Sequence, residues 1–175
     1  MMREKYKRLI ISGIFLLIAV SIVSFTIGDA VMQDKQPDLV SFASIHFSGY
    51  LFFIILPVEA LVPYYLSEGH SGVLLILIAV LTALVAQVLD YSFGFTFSEK
   101  IIDNFIGRRR YSKAKTVVEK YGGWAIFFFN LFPLSSPILL LAAGMLRFKL
   151  SKALLYSAAG LIIKYTVIVL VVRLF

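Results

Sequence analysis

Leu56-Pro57-Val58-Glu59-Ala60-Leu61-Val62-Pro63 and Phe132-Pro133-Leu134-Ser135-Ser136-Pro137 are two short proline-broken stretches set in sequence of membrane-grade hydrophobicity. Each is followed by a long apolar run. A proline inside lipid frees backbone groups that have no water to bond, so such a break survives only where protein or a wet cavity covers it. Paired interruptions in the two halves of one chain are the usual sequence trace of a transporter built from inverted repeats around a midplane site.

Composition points the same way. Of the 175 residues, 60% are hydrophobic and 15% charged, and the mean hydropathy is +0.91. These values lie far outside the soluble average and predict an integral membrane protein with room for one compact membrane domain. The net charge of +7 is concentrated in two polar segments and suits anionic lipid headgroups better than nucleic acid. No cysteine is present, which excludes disulfides and thiolate metal sites.

Residues 1–8 form a basic tail with Arg3, Lys5, Lys7 and Arg8. The run 9–27 is long enough to span, too long for a signal-peptide core, and reads as a retained helix, so 1–28 is an N-terminal tail and span. A polar loop carrying Asp29, Asp34, Lys35 and Asp38 follows. The membrane domain is expected over 43–174. Within it, 43–66 is apolar but broken at Pro57 and Pro63, 73–95 spans, 124–146 is broken at Pro133 and Pro137, and 153–172 spans. Between them, 98–121 is basic, and its apolar residues Ile101, Ile102, Phe105, Ile106, Ala114, Val117, Val118 and Tyr121 recur at helical spacing. It reads as an amphipathic surface helix, divided at Gly107.

Charge orients these segments. Short Lys/Arg-rich stretches stay cytoplasmic, which places both the N-terminal tail and 98–121 inside. If 43–66 crossed the bilayer, the helix 73–95 would deliver Arg108-Arg109-Arg110 outside. If 43–66 instead enters from outside, turns near Pro57 and returns, the cluster lands inside. By the same reasoning 124–146 dips in from the cytoplasm and leaves Arg147, Lys149 and Lys152 there. The expected fold is therefore all-α: two opposed re-entrant hairpins, each followed by a transmembrane helix, related as an inverted repeat.

Several residues also carry a resemblance. Pro57-x-Glu59, then Gln87 and Asp90-Tyr91-x-x-Gly94, Tyr121-Gly122-Gly123, Phe132-Pro133, and Ala142-Ala143-Gly144-Met145-Leu146-Arg147 with Gly160 downstream resemble the DedA family, also described as the VTT or SNARE-associated Golgi protein domain. The likeness covers residues 43–170. Its most specific part is the second proline, the Ala-Gly eleven residues later and the arginine three beyond. The resemblance implies opposed re-entrant hairpins and movement of lipids across bilayers, by scramblases in eukaryotes and by carriers of polyprenyl-phosphate or phospholipid in prokaryotes. The chain resembles a short, divergent prokaryotic-type branch, which implies a cell-membrane location. Many relatives have arginine three residues before and three after the second-hairpin proline, where this chain has Asn130 and Ser136. An acidic position four residues before the tyrosine is Gln87 here, with Asp90 on the same helix face.

Candidate functional residues follow, each with its bland alternative. Glu59 lies among apolar residues and costs roughly 2.5–3.5 kcal/mol on insertion scales unless paired, protonated or wet; the alternative is a carboxyl capping backbone freed at Pro57. Asp90 sits towards the cytoplasmic end of its helix, where it can also snorkel. Lys164 falls near the middle of the last span, with Glu59 or Asp90 as plausible partners, or with its stem snorkelling. Arg147 is placed to bind a phosphate headgroup or simply to obey the positive-inside rule. Asn130, Ser135, Ser136 and Gln87 can bond substrate or satisfy broken backbone. Pro57, Pro63, Gly94, Pro133, Pro137 and Gly144 shape the hairpins. His46 and His70 are isolated and read as interfacial, and no metal-ligand spacing exists.

No nucleophile–base pair, glycine-rich phosphate loop or cofactor motif appears, so enzymatic activity is not expected. Three classes remain. The first is a translocator of lipid or lipid-linked phosphate, with Arg147 and Lys164 engaging an anionic headgroup and Glu59 and Asp90 titrating. The second is a proton- or ion-coupled carrier of a small solute, and the third a non-transporting scaffold. Membrane lipids are the expected partners, nucleic acid is not, and homo-oligomers are compatible with every reading.

Overall fold

A computed structural model of the protein describes residues 38–51, 58–96, 108–132 and 136–174. The tail and span expected at 1–28, the loop to residue 37, the first part of 98–121, and Pro57, Pro133 and Ser135 lie outside the described residues. Every element among the described residues is helical.

Helix α1 runs Leu39–Tyr50. Asp38 sets its start: Oδ1 accepts from Ser41 N at 2.7 Å, while Asp38 N donates to Ser41 Oγ at 3.2 Å, a reciprocal capping box. The Ser41 amide holds the Asp38 carboxyl below its ordinary pKa. A 3-10 turn at Val58–Ala60 leads into α2, Leu61–Ser67. Helix α3 is Gly72–Thr96, α4 Arg108–Tyr121, α5 Gly123–Leu131, α6 Ser136–Met145 and α7 Leu150–Leu174. Pro63 and Pro137 both fall in the first turn of their helices, where a missing N–H would have had no intrahelical partner. They start helices rather than interrupt them.

Lengths divide the helices into two kinds. At 1.5 Å per residue, the 25-residue α3 and α7 rise about 37 Å, enough to cross a hydrocarbon core of about 30 Å. Both are long and apolar enough to do so. The 12 residues of α1 and the 9 and 10 of α5 and α6 rise only about 13–18 Å, half that depth.

The two long helices run antiparallel. Gly72, at the start of α3, lies against Val169 and Arg173 near the end of α7. At the opposite end, Tyr91 donates to the Phe148 carbonyl at 2.6 Å. The first half-length unit, α1 with α2, sits at the Gly72 end: the Ser41 and Tyr65 hydroxyls meet at 2.7 Å, and the Phe42 and Tyr65 rings at 5.1 Å. The second unit, α5 with α6, sits at the other end, with Gly123 against Tyr156 and Gly144 against Tyr91 and Phe95. Packing is exchanged between the units. Helix α1 packs on α3 and α2 on α7, while α5 packs on α7 and α6 on α3.

The α3–α6 contact is backbone to backbone. A Cβ on Gly94 would collide with the Leu141 carbonyl, and one on Gly144 with the Tyr91 carbonyl. Lipid tails are as apolar as leucine side chains, so such close approach through glycine, rather than expulsion of water, drives membrane helices together. Helix α4 lies over this end, burying Ala114 and Val118 against α6 and exposing Arg109, Ser112, Lys113, Glu119 and Lys120. Two apolar clusters result, one around α1, α2 and the facing parts of α3 and α7, the other around α4, α5, α6 and the end of α3.

Candidate functional site

Polar groups buried in this helical core gather at mid-depth. The midpoints of α3 and α7 are residues 84 and 162, and Thr82, Gln87 and Lys164 lie within five residues of them, about 8 Å at most along the axis.

Lys164, 7% exposed, donates to Glu59 Oε1 at 2.8 Å and to Tyr50 Oη at 2.6 Å. An ammonium has three donors and no acceptor. The bonds to Glu59 and Tyr50 account for two, and the nitrogen also lies 5.0 Å from the Tyr165 ring centroid. Charge neutralisation, two charge-assisted bonds and the Tyr165 ring replace water around a cation that would otherwise be costly inside the bundle. Glu59 is 26% exposed, so the pair reaches the surface of the bundle at its carboxylate and the interior at its ammonium.

Hydrogen bonds continue inward from Tyr50. Tyr165 Oη donates to Tyr50 Oη at 3.3 Å, and His46 Nε2 meets Tyr165 Oη at 2.6 Å. His46 Nδ1 meets Thr82 Oγ1 at 2.8 Å, and that hydroxyl donates to the Ile78 carbonyl at 2.7 Å. The imidazole stacks on Tyr50 with centroids 5.0 Å apart. His46 is fully buried, which corrects the interfacial placement expected from sequence: its ring sits between α3 and α7 with a partner on each nitrogen.

A second, neutral cluster joins α3, α5 and α7. Gln87 Nε2 donates to Asn130 Oδ1 at 2.5 Å, and Asn130 Nδ2 donates to the Ile126 carbonyl at 2.9 Å and to Ser157 Oγ at 3.2 Å. All three side chains are fully buried. Asn130 thus places an amide where it ties three helices together. Asp90 lies one turn beyond Gln87 and is also fully buried.

The expected site residues therefore separate into groups. Glu59 meets Lys164, and Gln87 meets Asn130. Ser136 opens α6, and its side chain lies outside the described residues. Arg147 stands apart, exposed beyond the end of α6 with its guanidinium 4.9 Å from the Phe95 ring centroid. Sequence reasoning missed His46, Tyr50, Tyr165, Thr82 and Ser157. The signal was present for two of them: Phe42, His46 and Tyr50 recur every four residues and form one aromatic stripe on α1.

Arg147 has φ +53°, the left-handed region that glycine ordinarily fills. Its amide donates to the Gly144 carbonyl at 3.0 Å and that of Phe148 to Ala143 at 2.9 Å, a Schellman cap with Arg147 at the left-handed position. Arg147→Gly should remove about 1–2 kcal/mol of backbone strain and raise, or at least hold, thermal stability in detergent. If the arginine serves anion binding, the same variant should lose affinity for anionic lipid, measured by binding to mixed-lipid nanodiscs. Falling stability would show that the guanidinium–Phe95 contact outweighs the strain.

Two antiparallel helices are long and apolar enough to cross a membrane, and near the midpoint of one of them Lys164 pairs with Glu59 from the 3-10 turn. A family model for the VTT domain matches residues 47–174, and the chain belongs to this family, that of the DedA and SNARE-associated proteins, commonly membrane proteins thought to be transporters. No curated protein and no solved structure matched it.

Proposed function

We propose that the protein moves a phosphate-bearing lipid between leaflets, with Lys164 as the cation that its headgroup meets at mid-depth. The observation that carries this reading is the Lys164–Glu59 pair, buried at its ammonium and open at its carboxylate. An anionic headgroup entering along the open side competes with Glu59 for Lys164. Protonating Glu59 releases the ammonium to the phosphate, so lipid and proton occupy the site in alternation. Arg147, exposed where α6 ends, meets headgroups at the bilayer surface, and its planar fork suits phosphate oxygens. The partial exposure of Glu59 favours a lipid, whose tails can stay in the bilayer, over an enclosed small solute.

In this reading the two half-length units are re-entrant hairpins entering from opposite faces. Three observations support it: their lengths, their placement at opposite ends of α3 and α7, and the exchange of partners between them. The exchange is what an internal two-fold axis in the membrane plane would produce. Cysteines at Ser71 and Ser112, both exposed in a chain without native cysteine, should label from opposite sides with an impermeant reagent. Labelling of both from one side would exclude this topology.

The functional test is fluorescent-lipid translocation in liposomes. Wild-type protein should move anionic lipid faster than zwitterionic lipid. Glu59→Gln should abolish the pH dependence of that movement, because the amide keeps size and hydrogen bonding but not the proton equilibrium. No lipid movement, with uptake of a small anion instead, would transfer the site to the second class.

A further inference from the structure

We infer that Gln87, held by Asn130 and Ser157, is a second headgroup site that takes a hydroxyl donor, so that the lipids carried are anionic phospholipids with hydroxyls on their headgroups. The inference rests on the lipid-transport reading for its ligand and on the buried amides for its place.

Hydrogen-bond roles single out one atom. Asn130 Nδ2 donates to the Ile126 carbonyl and to Ser157 Oγ, so the oxygen of that amide is what it turns to Gln87. Gln87 Nε2 donates to this oxygen, which leaves Gln87 Oε1 as the acceptor at the other corner of its amide. The side chain is fully buried, and Oε1 has no donor among the described residues. A buried acceptor without a hydrogen carries the full cost of its desolvation, and a group that brings the hydrogen binds there with that cost removed. An amide oxygen can only accept, so this corner has nothing to offer a phosphate. It suits a neutral hydroxyl instead.

The fold makes this amide the second unit's counterpart of a contact beside Lys164. Thr82 and Gln87 are five residues apart on α3, and Gly160 and Tyr165 are five apart on α7. His46 of the first unit bonds Thr82 and Tyr165. Asn130 of the second unit bonds Gln87 and packs against Gly160, where an added Cβ would lie 3.1 Å from that of Asn130. Each unit thus sends one side chain between the long helices, to the first of the pair on the long helix that follows it and to the second on the other. The two contacts are completed differently. Both nitrogens of His46 have partners, whereas Gly160 brings no hydroxyl where α3 has Thr82, and Gln87 keeps an unused acceptor. Ser157 and Lys164, seven residues apart and both buried, lie on one face of α7, about 10 Å apart along its axis. A headgroup whose phosphate has met Lys164 therefore has the amide cluster two turns along the same helix. Lys164 reads the phosphate, and Gln87 reads what the phosphate carries.

Phosphatidylglycerol and phosphatidylpropanol share charge and headgroup carbon skeleton, and only the first has headgroup hydroxyls. In liposomes, wild-type protein should move acyl-labelled phosphatidylglycerol about tenfold faster or more, the order of a lost bond to a buried acceptor. Gln87→Met, close in volume but without the acceptor, should remove most of that preference. Gln87→Asn, which draws the amide back by one methylene, serves if methionine is not tolerated. Ser157→Ala leaves Gln87 in place and should keep the preference; its loss there as well would mean only a loosened core and overturn the site. Equal rates for the two lipids in wild type would mean that the oxygen holds water alone, which overturns the site and leaves the lipid reading intact. A preference that persists without the Gln87 acceptor overturns it too. Where no lipid moves, thermal unfolding in detergent decides. Phosphatidylglycerol should then raise Tm more than phosphatidylpropanol in wild type, and the two should act alike in Gln87→Met. That result keeps the site and drops lipid transport, whereas equal Tm values in wild type drop both.

Discussion

Lys164→Met should destabilise the protein by about 3 kcal/mol, the low end of what breaking a buried ion pair costs. Methionine fills nearly the same volume, so cavity formation adds little. What remains is a Glu59 carboxylate and a Tyr50 hydroxyl that have lost the ammonium binding both. The low end applies because Glu59 is 26% exposed and regains solvation when its partner leaves. Glu59→Gln should cost less than Lys164→Met, since the amide still accepts from Lys164 and Tyr50 remains. The double variant should be more stable than the sum of the single losses predicts, with a coupling on the order of 1–3 kcal/mol. Denaturation in mild detergent measures all four corners of the cycle. Strictly additive losses would show that the pair is a geometric coincidence of two independently solvated groups.

The second large effect is steric. Gly94→Ala places a methyl group on the Leu141 carbonyl and Gly144→Ala one on the Tyr91 carbonyl, and backbone cannot turn aside as a side chain does. Each should cost about 1–3 kcal/mol or more, and the two together less than their sum, because the first already separates α3 from α6. Exposed Val85→Ala on the same helix should change stability by about 0.5 kcal/mol or less. Thermal unfolding of the three variants checks this. A neutral Gly94→Ala would mean that α3 and α6 do not touch along this line.

How much of this was legible in the sequence depends on the kind of signal. The long helices were, because uninterrupted hydropathy over twenty or more residues has few alternatives. Glu59 and Lys164 were individually legible as misplaced charges, and either Glu59 or Asp90 was considered as a partner for Lys164. Their pairing spans 105 residues and follows only from how α7 packs on the first unit. Helix α1 begins at Leu39, before the apolar run expected from residue 43, because Asp38 and Ser41 form a cap that hydropathy does not register. His46 was misread for a similar reason. Taken alone it is an amphipathic ring suited to an interface; only the spacing to Phe42 and Tyr50, and then Thr82 and Tyr165 from two other helices, gives it an interior role. The prolines were read as breaks within apolar runs, whereas Pro63 and Pro137 fall in the first turns of helices and open them.

The exchange of partners between the two units has a consequence for how the chain is made. Residues leave the ribosome in order, so α3 enters the bilayer before α5 and α6 exist. Gln87 then has no Asn130 to meet. Glu59 waits longer still, since its ammonium is 105 residues downstream on the last helix described. Until α7 arrives, that carboxyl lacks the ammonium that binds it in the folded chain. A nascent chain stalled short of α7 would thus carry Glu59 without its ammonium, a chemical difference between an unfinished copy and a finished one.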